Sequence, residues 1–153
     1  MPLSLPTLKV NLRRIMDTED PYFIGYPASP IQAAENFSNA IGDYALSIAP
    51  YSATNQQARL AFKTVLSGMS SELQNGLVLF PLAFASFATS LGLGMTGFAV
   101  VPPPIPISFQ LVASLGLAGA PASTCSDVMA QLIDIWFRTG IATPPSGSPI
   151  IWN

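Results

Sequence analysis

The chain has 153 residues, six of them basic and eight acidic, with no histidine and a formal net charge of −2. So few basic residues exclude a nucleic-acid binder, which needs clustered Lys and Arg on phosphates. The charged share is 9%, against about 25% in ordinary soluble domains, too little to wet every face of a free subunit. Its outside must be covered by lipid or by other protein. The length implies one domain. Cys125 is alone, which excludes an intrachain disulfide, and in its Ser/Thr setting it reads as a small buried or half-buried residue.

Residues 1–30 carry Pro2, Pro6, Pro21, Pro27 and Pro30 and read as an extended N-terminal arm. Leu8, Val10 and Leu12 alternate with Lys9 and Asn11, the period of a short strand. Arg13 and Arg14, followed by Asp17, Glu19 and Asp20, read as a solvated charged turn. The start lacks an apolar stretch after a basic segment, so no secretory signal is expected. Asn36-Phe37-Ser38 fits a glycosylation sequon, a chance match in that context.

From Ile31 the apolar period changes. Ala33, Ala34, Phe37, Ala40, Ile41, Tyr44, Ala45 and Ile48 recur at three-four spacing, predicting a helix that opens at Pro30 and ends by Pro50. A second helix is predicted from Ser52 or Thr54 as N-cap. It buries Ala58, Ala61, Phe62, Val65, Leu66 and Met69 with Arg59 and Lys63 outside, and Gly68 and Ser70-Ser71 mark its break.

Leu73 to Ser126 then forms a run of 54 residues without Asp, Glu, Lys or Arg. A third helix is predicted over about Leu73 to Leu93, with Leu77, Phe80, Phe84, Phe87 and Leu91 along one side and a late start or kink at Pro81. Gly92, Gly94 and Gly97 follow, then VVPPPIPI as polyproline II and a short apolar segment from Phe109 to Leu117. The last helix is capped by Ser123 or Thr124, with Asp127 at its positive end. Its stripe is Val128, Met129, Leu132, Ile133 and Trp136, with Gly140 as the residue just past its end. Residues 141–153 read as a second extended arm.

No motif carries chemistry. Gly92-x-Gly94-x-x-Gly97 matches a dinucleotide fingerprint, but it follows a helix and leads into prolines, where no helix can open on a pyrophosphate. Without histidine the commonest general base and metal ligand is missing. Asp127 and Asp134 are seven apart and read as the wet face of a helix. No catalytic residue, metal, cofactor or small-molecule substrate is expected. A span over 77–101 is long enough to cross a bilayer, and Ala88-xxx-Gly92 and Ser86-xxx-Ser90-xxx-Gly94 suit membrane-helix contacts. Pro81, the glycines and the lack of flanking basic or aromatic residues weigh against it.

The stretches QQARLAFKTVLSGM, LGMTGFAVVPPPIP and IDIWFRTGIATPPSG resemble small structural proteins in the virions of large tailed bacteriophages. The resemblance covers Ala33 to Pro145 and rests on the run of short helices, the Gly-Met-x-Gly-Phe to Pro-Pro-Pro turn and the Trp-x-x-Thr-Gly ending. It implies a non-enzymatic virion component, repeated around a symmetric ring.

The sequence therefore predicts a mostly α single domain of four or five short helices, spanning 31–140, between two extended proline-rich arms. The partners expected are copies of itself and other virion proteins. Phe80, Phe84, Phe87 and Leu91 form the expected contact face, Trp136 an anchor, and Ile151 and Trp152 plugs at the end of the second arm. The alternative is a small integral membrane protein, holin-like or pore-forming, located in the membrane rather than the virion.

Overall fold

A computed structural model of the chain describes residues 3–68, 73–105 and 109–153. Among these, six helices run in order: α1 (Leu5–Met16), α2 (Pro30–Ala45), α3 (Asn55–Leu66), α4 (Leu73–Leu93), α5 (Gln110–Leu117) and α6 (Ala122–Phe137). Three short strands, β1 (Ala99–Val101), β2 (Ile141–Thr143) and β3 (Ile150–Ile151), form one antiparallel sheet in the order β1-β2-β3. The protein is a mostly helical single small domain, as the periodicity predicts.

The first arm is built on a helix rather than extended, and the second is extended but paired within the subunit's own sheet. Residues 5–16 are helical because Pro6 falls in the first turn, where a missing N–H costs nothing, and the Ser4 hydroxyl caps it by accepting from Thr7 N–H. The remaining prolines lie beyond its end. Leu8 and Leu12, one turn apart, are both fully buried while Val10 between them is exposed, so the apparent alternation is also a helical pattern. The second arm is drawn into the sheet as β2 and β3. Asn153 exchanges both main-chain hydrogen bonds with Ala49, at 2.6 and 3.0 Å.

α2 starts where predicted, with Ser29 accepting from Gln32 N–H at 3.2 Å. α4 runs from Leu73 to Leu93 with Pro81 inside it, and does not start late. Thr54 stands at the N-cap position of α3, as predicted, but its side chain makes no capping bond there. Ser52 and Thr54 donate their hydroxyls to the carbonyls of Leu91 and Ser90, each at 2.5 Å, the Leu91 carbonyl also accepting Gly94 N–H at 3.1 Å, so both side chains tie the end of α4 to the start of α3. Gly94 fits against them, because a Cβ there would lie 2.6 Å from Thr54 N. α6 begins after Pro121 with no side-chain cap, not at Ser123 or Thr124. Gly140 is not a left-handed terminator. It is needed because the Trp152 indole lies on it, with Cγ and Cε2 2.8 Å from where a Cβ would stand. Met69, Ser70-Ser71, Pro106 and Ile107 lie outside the described residues.

The core joins all six helices to the sheet. Phe62, Phe84, Phe87 and Phe137 are fully buried and meet edge to face, with centroids 5.0 Å apart for Phe62–Phe84 and 5.9 Å for Phe87–Phe137. The accessible surface is 7944 Å². A compact monomer of this mass exposes roughly 7,400 Å², so the chain encloses this core by itself.

Candidate interaction surface

The predicted contact residues divide in two. Phe84, Phe87 and Leu91 have no exposed surface, nor does Trp152, and Trp136 retains 5%. They are the subunit's own core, so they cannot form a contact face while this fold persists. Trp136 does anchor, but within the subunit: its Nε1–H donates to the Pro104 carbonyl at 2.5 Å and holds the proline segment against the subunit's surface. Phe80 is half-buried and Ile151 is 59% exposed, so these two remain available to a neighbour.

The charges are equally organised. Arg13 on α1 makes a two-pronged pair with Asp127 on α6, Nε–Oδ1 2.9 Å and Nη2–Oδ2 2.7 Å. Arg59 on α3 meets Asp43 on α2 at 2.7 Å, and Lys63 meets Glu35 at 3.3 Å. Arg14 lies over the Tyr22 ring, 5.4 Å from its centroid. Asp134, 8% exposed, accepts from the Tyr44 hydroxyl at 2.5 Å and from Arg138 at 3.0 Å. Asp127 and Asp134 thus serve separate partners and are not a carboxylate pair.

Burial, then the hydrogen bond to Asp134 and its negative charge, push the Tyr44 phenol well above the ordinary tyrosine range. The Asp134 hydrogen bond likewise raises the Arg138 guanidinium. Arg138 also donates to the Leu3 carbonyl and the Asn153 side chain, tying three distant segments together. Sequence reasoning missed this cluster because Tyr44 and Asp134 are 90 positions apart and only packing brings them together.

No charge lies on α4, β1 or α5. With the inner side of α4 filled by phenylalanines, its outer side carries Val78, Leu82, Thr89 and Leu93, four, seven and four apart. Val78 is 59%, Leu82 43% and Leu93 79% exposed. α5 has no buried residue at all and presents Leu111 and Leu117. Between α4 and α5 opens a cleft of about 260 Å³ lined only by apolar atoms, from Leu77, Phe80, Phe109 and Val112 with Met16 and Met129. On the sheet, Val101, Ile141 and Ile151 stand directly opposite one another across three strands. All three are exposed, forming a β-branched row that faces outward.

No family model, curated protein or solved structure matches the chain. Among the described residues no group of three or more His, Cys, Asp or Glu is placed to hold a metal. Cys125 is buried, as its setting predicts. The three glycines of the fingerprint have separate structural duties: Gly92 admits Val100 and Trp152, Gly94 admits Ser52 and Thr54, and Gly97 turns the chain at φ 84°. Among the described residues one helix segment, Gly76–Leu93, is long and apolar enough to cross a membrane, and 33% of it is buried in the subunit.

Proposed function

We propose that the protein is a non-enzymatic structural subunit of a large assembly, a component of a tailed-phage virion that joins copies of itself and other particle proteins. The observation that carries this reading is the uncharged outer face of α4, β1 and α5, left exposed after the subunit has filled its own core. Contiguous exposed apolar groups mark contact sites, and burying each such side chain is worth about 1.5–3 kcal/mol. A protein partner fits this face better than a lipid surface. All six basic residues lie on α1, α3 and α6 or its end, so nothing around the face attracts anionic headgroups. The phage context comes from the resemblance of the three sequence stretches and extends the surface argument to a particular kind of particle.

The test is expression of the chain alone, followed by fractionation and sedimentation. Soluble oligomers in aqueous buffer that break down when Leu82 is replaced by Asp support the reading. Recovery only from the membrane pellet with detergent would replace it by the membrane alternative, for which Gly76–Leu93 would supply the span.

A further inference from the structure

The sheet has two outer edges, and the chain closes one of them. Trp152 N–H donates to the Gly140 carbonyl at 2.9 Å while Gly140 N–H turns back to Phe137, so this single bond places Gly140 and Trp152 at a hydrogen-bonding position that continues the β2–β3 register. Bonded and non-bonded pairs alternate along an antiparallel ladder. Ile150 therefore faces β2, and Asn153 faces outward, where Ala49 takes both of its main-chain bonds. The same alternation turns Ala142 toward β3, and Ile141 and Thr143 toward Val101 and Ala99. The N–H and C=O of Val100 are then directed off the free edge of β1, and neither meets a partner among the described residues. Pro102 follows at the next outward position, where a missing N–H costs the ladder nothing. This edge borders an open cleft of about 470 Å³ lined by Thr89, Leu93, Thr96 and Val100 among others. It carries none of the charges that normally discourage strand addition.

The subunit also holds a segment suited to that edge. Tyr22, Ile24 and Tyr26 are 71, 56 and 80% exposed, at the two-residue spacing of a strand face. Residues 23–27 belong to no helix or strand. Ile24 N–H is held by the Arg14 carbonyl at 2.9 Å, while the N–H groups of Gly25 and Tyr26 have no partner among the described residues. The stretch Tyr-Phe-Ile-Gly-Tyr is uncharged and rich in strand formers. Gly25, at φ 93°, can straighten without steric cost.

We infer that Tyr22–Tyr26 of one copy adds as a fourth strand to the β1 edge of the next. The inference rests on the assembly reading and names its joint. The two surfaces differ, so the contact repeats head to tail and the copies close into a ring or extend as a filament.

Two variants test it by mixing. Ile24→Pro spoils the donor segment and leaves the edge intact. Val100→Pro spoils the edge and leaves the segment intact, and Val101→Lys does the same at an exposed position, in case the proline disturbs the sheet. Each variant alone is expected to sediment as a monomer. An equimolar mixture of Ile24→Pro with either edge variant is expected to form one intact joint, at twice the subunit mass. If each variant alone assembles like the original chain, or the mixture stays monomeric, this joint is wrong while the assembly reading stands. If the unaltered chain never assembles at any concentration, both fail together.

Discussion

The protein's described charges lie on α1, α2, α3 and α6 and in the turns just past α1 and α6, eight of them drawn into four ion pairs that tie α1 to α6, α2 to α3, and α6 to the segment just past its end. On α4, β1 and α5 the exposed positions carry Val78, Leu82, Leu93, Val101, Leu111 and Leu117. Both regions contribute fully enclosed phenylalanines to the core, the second through α4 alone. What distinguishes them is how each meets its surroundings. A charge-poor chain therefore does not imply an incomplete core: here the core is closed by the subunit itself, and the ionic deficit falls on one part of the surface.

The most damaging change should fall where the two regions meet. Trp152 lies on Gly140, near Gly92 and tilted against Phe137, with centroids 6.3 Å apart. Replacing it with Ala should cost about 3–5 kcal/mol, a large part of the 5–15 kcal/mol typical of a domain. Deleting 144–153 should abolish cooperative unfolding and reduce helicity, followed by circular dichroism in urea. Unchanged helicity after that deletion would mean that the tail is an external arm after all.

Next in size comes Asp134→Ala, which leaves the buried Tyr44 hydroxyl and the Arg138 guanidinium without their acceptor. Breaking a buried pair costs about 3–5 kcal/mol. Because the Arg138 side chain is 33% exposed, solvent returns part of this, and a loss of about 2 kcal/mol is expected in denaturant titrations. Asp127→Ala, whose partner Arg13 is 42% exposed, should shift the midpoint much less. Equal losses for the two would erase the distinction between a buried and a solvated ion pair.

How far the fold was legible follows the same division. α2, α4 and the stripe of α6 could be read because apolar residues recur along each helix at its own period. α1 was misread because the prolines were counted rather than placed: Pro6 alone lies inside the helix, and in its first turn. The sheet was illegible because its strands are two or three residues long and their pairing depends on Gly140 and Gly92 admitting an indole. The contact face was misassigned for a different reason. Periodicity marks which side of α4 is most apolar, and a chain that closes its own core turns that side inward. The accessible surface is then the opposite side of the helix, where Val78, Leu82 and Leu93 stand exposed.

That exposed side gives a sharper test of the two-region contrast. Leu82 on α4 and Leu60 on α3 are both exposed, 43% and 64%, and a charge at either should alter folding stability by no more than about 0.5 kcal/mol. Leu82→Asp should nevertheless lower the sedimentation coefficient of the assembled protein. Leu60→Asp, beside Arg59 and Lys63, should leave it unchanged. Equal effects would show that charge distribution does not define the contact face.

The smallest expected effect is confined to alkaline solution and to the ionic region. Tyr44 is neutral when protonated, and its folded pKa is raised above the unfolded value of about 10. Below pH 10 both states hold the proton and the contribution is fully present. Above it the unfolded chain releases a proton that the folded chain keeps, so stability falls as pH rises. Tyr44→Phe removes this titration along with the hydrogen bond to Asp134. The variant should be less stable at pH 7 yet lose stability more slowly between pH 10 and pH 11, and parallel slopes for the two proteins would show that the phenol is not held protonated by its buried site.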